Sequence, residues 1–311
     1  MTGNGRGAHP DLSVVISTHA RPSELREAIA AIRAQDHPGP IETIVVWDRA
    51  EPDTTLAVTA ADDPLRPVRV LANDRTPGLP GSRNCGAAAA SAAVIGFCDD
   101  DDLWLPAKAR RQLDLLDESA SDTVVCALEL LADGAVFDRP ATHDILRFAH
   151  LLESRHMEAN MVGALVRKEA FWNEIGPMDE HIAGGYAEDY EWMLRASRHQ
   201  PIPVVTEPLL QVRWIVESHF RQQWPSWEAA LGQILDRNPE FSGVPRGRAR
   251  VEGQIAVAIA AQGRRREALS RIRSTLGWSW REPRAYIALA IAAGLPAHTV
   301  TAALNRRGRG I

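Results

Sequence analysis

The stretch Ala92-Ala93-Val94-Ile95-Gly96-Phe97-Cys98 runs without a break into Asp99-Asp100-Asp101-Asp102, so an apolar run of strand length ends in four consecutive carboxylates. A buried strand that ends this way sets the cluster on the lip of a sheet. Like charges this close raise one another's pKa values and stay ionised only where solvent, cations or hydrogen-bond donors compensate. Magnesium or manganese does so well, because hard cations favour carboxylate oxygen and share it with phosphate. An acidic run taken alone is more simply a solvated loop or a helix N-cap. The flanking sequence favours the metal.

Upstream, Leu12 to Ser17 (LSVVIS) is a β-branched run of strand length, followed by the turn Thr18-His19-Ala20-Arg21-Pro22. An amphipathic helix follows from about Ser23 to Ala34, with Ser23 as N-cap and Glu24 and Glu27 in the first turn. Ile41 to Trp47 is a second strand with Asp48 at its end, Asp53-Thr54-Thr55 opens a further helix, and Val68 to Leu71 is a third strand. An Ala-rich helix over Ser82 to Ala93 delivers the chain to the Asp-bearing strand. Alternating strands and helices predict an α/β fold, a mainly parallel sheet with helices on both faces. Ligands bind such sheets at the carboxyl ends of the strands, where Thr18, Asp48 and Asp99 all fall. Downstream, Pro106 to Asp117 is expected as helix, Thr123 to Leu131 and Met161 to Val166 as strands, and Phe137 to Arg155 as a less regular excursion. The segment Glu188 to Ser197 has a helical pattern, and Gly184-Gly185 before it suggest a mobile loop that delivers two acids to a site. Leu209 to Val216 closes the core as a strand, and from Trp224 onward the pattern is helical.

With 311 residues, 45% hydrophobic and 24% charged, the chain is ordinary globular material expected to form two parts. No apolar stretch reaches the roughly 18 to 20 residues that span a bilayer. Met1 to Pro10 is polar and Gly-rich, a flexible N-terminus without the apolar core of a signal peptide, so the expectation is a soluble, cytoplasmic protein. Cys85, Cys98 and Cys126 lie far apart without metal-ligand spacing and are expected as buried free thiols. Charge is uneven: Phe241 to Ile311 holds 13 arginines, no lysine and three glutamates, a formal +10, which leaves -15 on the first 240 residues of a chain whose net charge is -5. Such a tail suits an acidic partner surface, the acidic body itself or an anionic lipid layer, so peripheral membrane contact stays open beside solvated arginine faces. Trp278 and Trp280, close to Tyr286 and the apolar run Ile287 to Leu295, could pack against the body or a second copy, which leaves homo-oligomerisation open too. Nucleic acid is not an expected partner, since aromatics are only 6% of the chain and no basic stripe interleaves with them.

Five ordered pieces resemble the family 2 glycosyltransferases of the GT-A fold. Val14-Val15-Ile16-Ser17-Thr18-His19-Ala20-Arg21-Pro22 is similar to the family's opening strand and turn, and Gln35-Asp36-His37-Pro38 with Glu42 to Asp48 to its second strand. Gly78 with Gly81-Ser82-Arg83-Asn84-Cys85-Gly86 resembles its Arg-Asn-x-Gly element, Asp99 to Pro106 its Asp-x-Asp metal motif, and Gly176 to Glu180 with Glu188-Asp189 its acceptor-side acidic segment. The resemblance implies a GT-A catalytic domain over 11–220 and a helical appendage over 221–311. It also implies an inverting transferase that uses a nucleotide diphosphate-sugar, a UDP-sugar first among donors, with an unidentified acceptor. Asp101 with Asp99 is then the ligand pair for Mn2+ or Mg2+, with Asp100 facing ribose; Asp100 with Asp102 is the alternative register. Asp48 corresponds to the carboxylate that accepts from the nucleobase and His19 to a position that stacks on the base. Ser17 and Arg21 line the same pocket. Arg83 offers a permanently charged fork to a phosphate or base oxygen, or makes a salt bridge at its helix start. Inversion requires a carboxylate to take the acceptor proton; Asp189 is the expected base, with Glu188 as the neighbour that could replace it, and both could instead be acids favoured by a helix dipole. Asp179 and Glu180 are expected to be structural, and His219 is a candidate late metal contact.

Trp47, Arg49-Ala50 and Ala20 depart from the family's usual residues, which bears on nucleotide choice. A nucleotidyltransferase could share the nucleotide-binding half, but Thr18 to Pro22 lacks the glycines of its phosphate loop. A phosphatase would carry Asp-x-Asp on its first strand. A degenerate nucleotide-sugar-binding or scaffold protein is the non-enzymatic alternative, and the presence of both acidic segments argues against it.

Overall fold

The computed structural model describes residues 10–19, 21–132, 134–213 and 223–300 of the 311. The chain runs β1 (Leu12–Thr18), α1 (Pro22–Arg33), β2 (Ile41–Trp47), β3 (Val68–Ala72), α2 (Leu79–Ala89), β4 (Val94–Asp99), β5 (Leu103–Trp104), α3 (Lys108–Glu118) and β6 (Thr123–Ala132). It continues through β7 (Ala135–Arg139), β8 (Ile145–Leu146), α4 (Phe148–Glu153), β9 (Leu165–Arg167), α5 (Glu188–His199) and β10 (Ile202–Arg213). The helices α6 (Trp224–Arg237), α7 (Pro245–Ala261), α8 (Arg265–Trp278) and α9 (Pro283–Ala292) follow. Two compact units divide the described residues, one drawn from Met1–Phe148, His156–Glu180 and Trp192–Trp214, the other from Ala149–Arg155, His181–Glu191 and Ile215–Ile311. Among the described residues no helix is long and apolar enough to cross a membrane.

The first unit is the expected α/β sheet, with strand order β3-β2-β1-β4-β9-β6-β10-β5. From β3 to β4 the strands are parallel, and β10 is parallel to β6; β9 joins the two sets by pairing antiparallel with both β4 and β6. All seven residues of both β1 and β2 are buried, which is why they read as unbroken apolar runs rather than alternating ones. Leu25, Ala28, Ile29 and Ile32 form the buried stripe of α1 at helical spacing. That helix starts one residue earlier than its sequence suggests. Pro22 supplies the first-turn φ, Arg21 is the N-cap residue, and Ser23 spends its hydroxyl on Glu24 instead of capping.

Close backbone approach sets the positions of α2 and β5. A Cβ on Gly86 would lie 2.3 Å from Val15 Cγ1, so α2 presses onto β1 at a point where only glycine fits. On β4, a Cβ on Gly96 would stand 2.7 Å from Leu165 and 2.8 Å from the Trp104 ring, so these two side chains fill the space directly beneath the acidic cluster. Lys108 is fully buried with its Nζ 4.4 Å from the centroid of that same Trp104 ring, and it donates to Gly163 O at 3.2 Å and to Gln112. Burial pulls its ammonium below the ordinary value. Cys85, Cys98 and Cys126 are buried and free, as expected.

Elsewhere the structure departs from the pattern-based reading. The strand expected over Met161 to Val166 is a 3-10 turn at Met161–Gly163 followed by β9, because the Asn160 side chain takes the Gly163 N–H at 2.7 Å and so ends strand pairing there. β10 begins at Ile202, seven residues before the expected Leu209; Pro203 and Pro208 conceal it, and the register shifts on both sides of Pro208. The excursion over 137–155 contains β7, β8 and α4. In the second unit, α7 is the central helix, buried along most of its length, with α6, α8 and α9 packed against it. Of the apolar tail residues noted in the sequence, Trp280, Tyr286, Leu289 and Leu295 are exposed, whereas Ala288, Ile291 and Ala292 are buried and Trp278 is half-buried beneath the Arg248 guanidinium.

Gly96→Val is expected to force Trp104 and Leu165 off their positions at a cost of about 1–3 kcal/mol. A thermal melt reads this as a lowered midpoint, and an unchanged midpoint would contradict the close packing under β4.

Candidate active site

β1 and β4 pair in register with Ser17 opposite Asp99, and β1 and β2 with Thr18 opposite Trp47, so the three carboxyl ends lie side by side. Asp48 N donates to Thr18 O at 2.8 Å, which carries the alignment one residue past the end of β2. Asp48 Oδ1 accepts from Asn73 Nδ2 at 2.9 Å and from Gly78 N at 3.1 Å, while Arg49 Nε lies 3.6 Å from Oδ2. His19 is exposed, with Nδ1 donating to Asp48 O at 2.7 Å. Arg49 has φ 55, a left-handed conformation that a non-glycine residue adopts at a cost.

The four aspartates have separate surroundings. Asp99 has a side chain 34% exposed and accepts from Arg83 Nη2 at 2.8 Å; Arg83 itself is buried. Asp100 is turned inward, held by the Thr18 hydroxyl at 2.7 Å and by Arg21 Nη1 at 3.1 Å. Asp101, 17% exposed, also takes a hydrogen bond from Arg21. Asp102 is buried and accepts from Arg213 N at 3.3 Å. Burial first and Asp99 second push the Asp101 carboxyl from 3.8 up to about 6. The same two causes push Asp102 well above the usual range. Burial also raises Asp100, against the pull of Thr18 and Arg21. Among the described residues these four carboxylates are bonded by two guanidinium groups, Arg21 and Arg83, and the negative charge left over is what a hard divalent cation would neutralise. Ser17 adds a second observation, for its buried hydroxyl has no hydrogen-bond partner among the described residues. The residues present therefore fit a divalent cation, with the more exposed pair, Asp99 and Asp101, as the carboxylates able to reach one.

In the second unit, the chain enters α5 through Ala187, the other non-glycine residue with positive φ among those described, at 58°. Glu188 is buried, and Asp189 accepts from Arg155 Nη2 at 2.6 Å through Oδ2 and from Tyr190 N at 2.7 Å through Oδ1. The neighbouring Asp189 carboxylate raises the Arg155 guanidinium above its ordinary value. Tyr190 is buried beneath: its hydroxyl donates to Leu151 O at 2.6 Å and accepts from Arg250 Nη2 at 2.7 Å, and the Arg155 and Arg250 guanidinium groups lie 5.9 and 5.3 Å from its ring centroid.

Several functional contacts escaped the sequence. Asn73, which holds Asp48, is an ordinary loop residue by composition; Thr18 was placed at its strand end but not in its bond to Asp100; and Arg155 comes from a segment with no periodicity. Asn84 had a signal, since it follows Arg83 in the Arg-Asn-x-Gly element; its amide bonds Met178 N, Met178 O and Glu180 at 2.8–2.9 Å. Glu180 also accepts from Thr76 N and Arg75. His219 lies outside the described residues.

The strand order and the acidic strand end match the GT-A fold seen in the TarS structures. The chain belongs to glycosyl transferase family 2, whose model matches residues 13–173, just over half of it. It is 29% identical over 172 residues to the succinoglycan biosynthesis protein ExoO of Rhizobium meliloti (strain 1021), a match that covers 55% of this chain and 48% of that protein. Glycosyltransferase AglE of Haloferax volcanii is 23% identical over 199 residues, 60% of this chain and 62% of AglE. The chain therefore spans about half to three fifths of the length of these relatives. Among solved structures, S. aureus TarS 1-349 in complex with UDP-GlcNAc superposes with a TM-score of 0.64 at 14% identity, covering 96% of this chain and 92% of that one. Its complex with UDP gives 0.58 with the same coverage.

The Asp101 carboxyl has a folded-state value of about 6 against an ordinary 3.8, so its stabilising contribution is complete below pH 3.8 and is lost as the pH rises through 6. Metal-free protein is expected to lose at most about 3 kcal/mol over that window from this group. Asp101→Asn should flatten the fall in a series of melts between about pH 4 and 7. Parallel pH profiles for the two proteins would contradict the charge cluster described above.

Proposed function

We propose that this chain transfers a glycosyl group with inversion from a nucleotide diphosphate-sugar, a UDP-sugar first, to a hydroxyl or similar nucleophile. The observation that carries the reading is the cluster Asp99 to Asp102 at the ends of β1 and β4, beside the unpartnered Ser17 hydroxyl. TarS, bound to UDP-GlcNAc and to UDP in the related structures, supports a UDP-sugar as donor. Asp99 and Asp101 would hold Mn2+ or Mg2+, and that register is favoured over Asp100 with Asp102 because both of the latter are buried and Asp100 is already held by Thr18 and Arg21. When bound, the cation supplies Lewis-acid stabilisation of the departing diphosphate.

The chain's own groups do the rest. Asp48 accepts from the nucleobase through the oxygen turned away from Asn73, and His19 offers its ring face to the base. Arg21 and Arg83 supply permanent positive charge beside the cluster and help to hold the diphosphate. The acceptor oxygen attacks the anomeric carbon from the side opposite the diphosphate. As that C–O bond forms, the bond to the diphosphate oxygen breaks and the acceptor proton passes to Asp189. Arg155 holds Asp189 in place through Oδ2 until the acceptor hydroxyl takes its place there.

Two measurements test this. Calorimetry with UDP, GDP, dTDP and CDP, with and without manganese, is expected to show manganese-dependent binding of one nucleotide, lost in Asp101→Ala. No binding in any combination would overturn the transferase reading in favour of a scaffold. With a competent acceptor, Asp189→Asn should lower kcat by about 10²–10⁴-fold while nucleotide binding is retained. A near-normal kcat would move the base to another residue.

A further inference from the structure

A second group of ligating side chains lies in the first unit, away from the aspartates. His143, His156 and Glu158 each offer one ligand atom, and these atoms lie within 4.8 Å of one another. His143 comes from the loop between β7 and β8, and the other two from the loop between α4 and the turn at Met161–Gly163. Both loops are anchored. Val204 N donates to Asp144 O at 2.8 Å and β8 pairs with the start of β10, while Asn160 caps the turn that follows Glu158.

The three groups converge on one point, now marked by the Thr142 hydroxyl. Its oxygen is 2.9 Å from His143 Nδ1, 2.9 Å from His156 Nδ1 and 2.7 Å from Glu158 Oε1. A hydroxyl donates once, to Glu158, so it accepts from both Nδ1–H groups. The imidazole rings stand at 88° with centroids 5.0 Å apart, which aims two nitrogens at the point from different directions. Glu158 is buried, 3% exposed; its partners are the Thr142 N–H at 2.9 Å, the Thr142 hydroxyl and the His156 ring, and no lysine or arginine among the described residues lies in ion-pair range. A buried carboxylate without a cation is costly, and a metal ion removes that cost.

We propose that His143, His156 and Glu158 form a zinc site, with a water in the fourth position. Two imidazole nitrogens and a carboxylate oxygen suit zinc, whereas the all-oxygen aspartate cluster suits magnesium or manganese. The geometry is near what zinc needs. His156 Nδ1 and Glu158 Oε1 are 3.9 Å apart, and tetrahedral bonds of about 2.0–2.2 Å put neighbouring ligands about 3.3–3.5 Å apart. Rotation of Thr142 about χ1 vacates the centre, and each ring's Nδ1 proton moves to Nε2 to free the lone pair that binds. The ion closes the chain from His143 to His156, the two ends of the segment that carries α4 and Arg155, and so acts as a structural clasp.

The test is zinc titration by calorimetry, with melts in parallel, on untagged chelator-stripped protein. An Asp101→Ala background removes the aspartate cluster from the reading. A single zinc per chain is expected, with a raised melting midpoint. His156→Ala and Glu158→Gln should each weaken binding at least about 100-fold. Thr142→Val should keep it, since the hydroxyl is not a ligand. Should one variant fail to fold in its metal-free melt, His143→Ala serves in its place. Equal zinc binding in Asp101→Ala with and without His156→Ala, or no zinc binding in that background, overturns the proposal.

Discussion

The structure depends on concentrated negative charge at the end of β4. Asp99 to Asp102 follow a strand whose residues up to Cys98 are buried, so the cluster cannot retreat into solvent as an exposed acidic loop would. Its neighbours are arranged around that charge. Arg83 leans on Asp99 from α2, Arg21 spans Asp100 and Asp101 from the turn after β1, and Arg213 N caps Asp102. These contacts leave a net negative site, and the raised Asp101 and Asp102 values express the incompleteness. Charge that the fold holds but does not neutralise is what the proposed divalent cation would answer.

Backbone strain falls beside the carboxylates proposed to handle ligand and proton. Arg49 and Ala187 both adopt positive φ, one directly after Asp48 and the other directly before Glu188. Neither is glycine, so each costs something that the surrounding structure must override. In each case the unusual conformation turns the chain sharply beside a carboxylate assigned to ligand or proton handling.

Much of the sheet was legible because its parallel half is buried on both faces. β1, β2 and β4 are continuous apolar runs, and the residue that ends each run is polar, so Thr18, Asp48 and Asp99 could be brought together before any coordinates. The short antiparallel strands were not legible. β5 and β8 have two residues each and exist only through pairing with β10, which is itself masked by Pro203 and Pro208. The same division holds among the polar groups. The aspartate cluster announces itself by composition, whereas Asn73, Arg155 and the His143–His156–Glu158 group acquire their partners only when distant segments meet. Ser23 shows how local rules compete: it is a good capping residue by type, but Pro22 had already set the helix start.

The most direct test of the central claim is anomalous diffraction at the manganese edge from crystals grown with UDP and Mn2+. A single strong peak in contact with Asp99 and Asp101, close to the UDP diphosphate, is the predicted result. A peak held by Asp100 and Asp102, or UDP bound with no peak near the cluster, would contradict the account of how this chain uses its four aspartates.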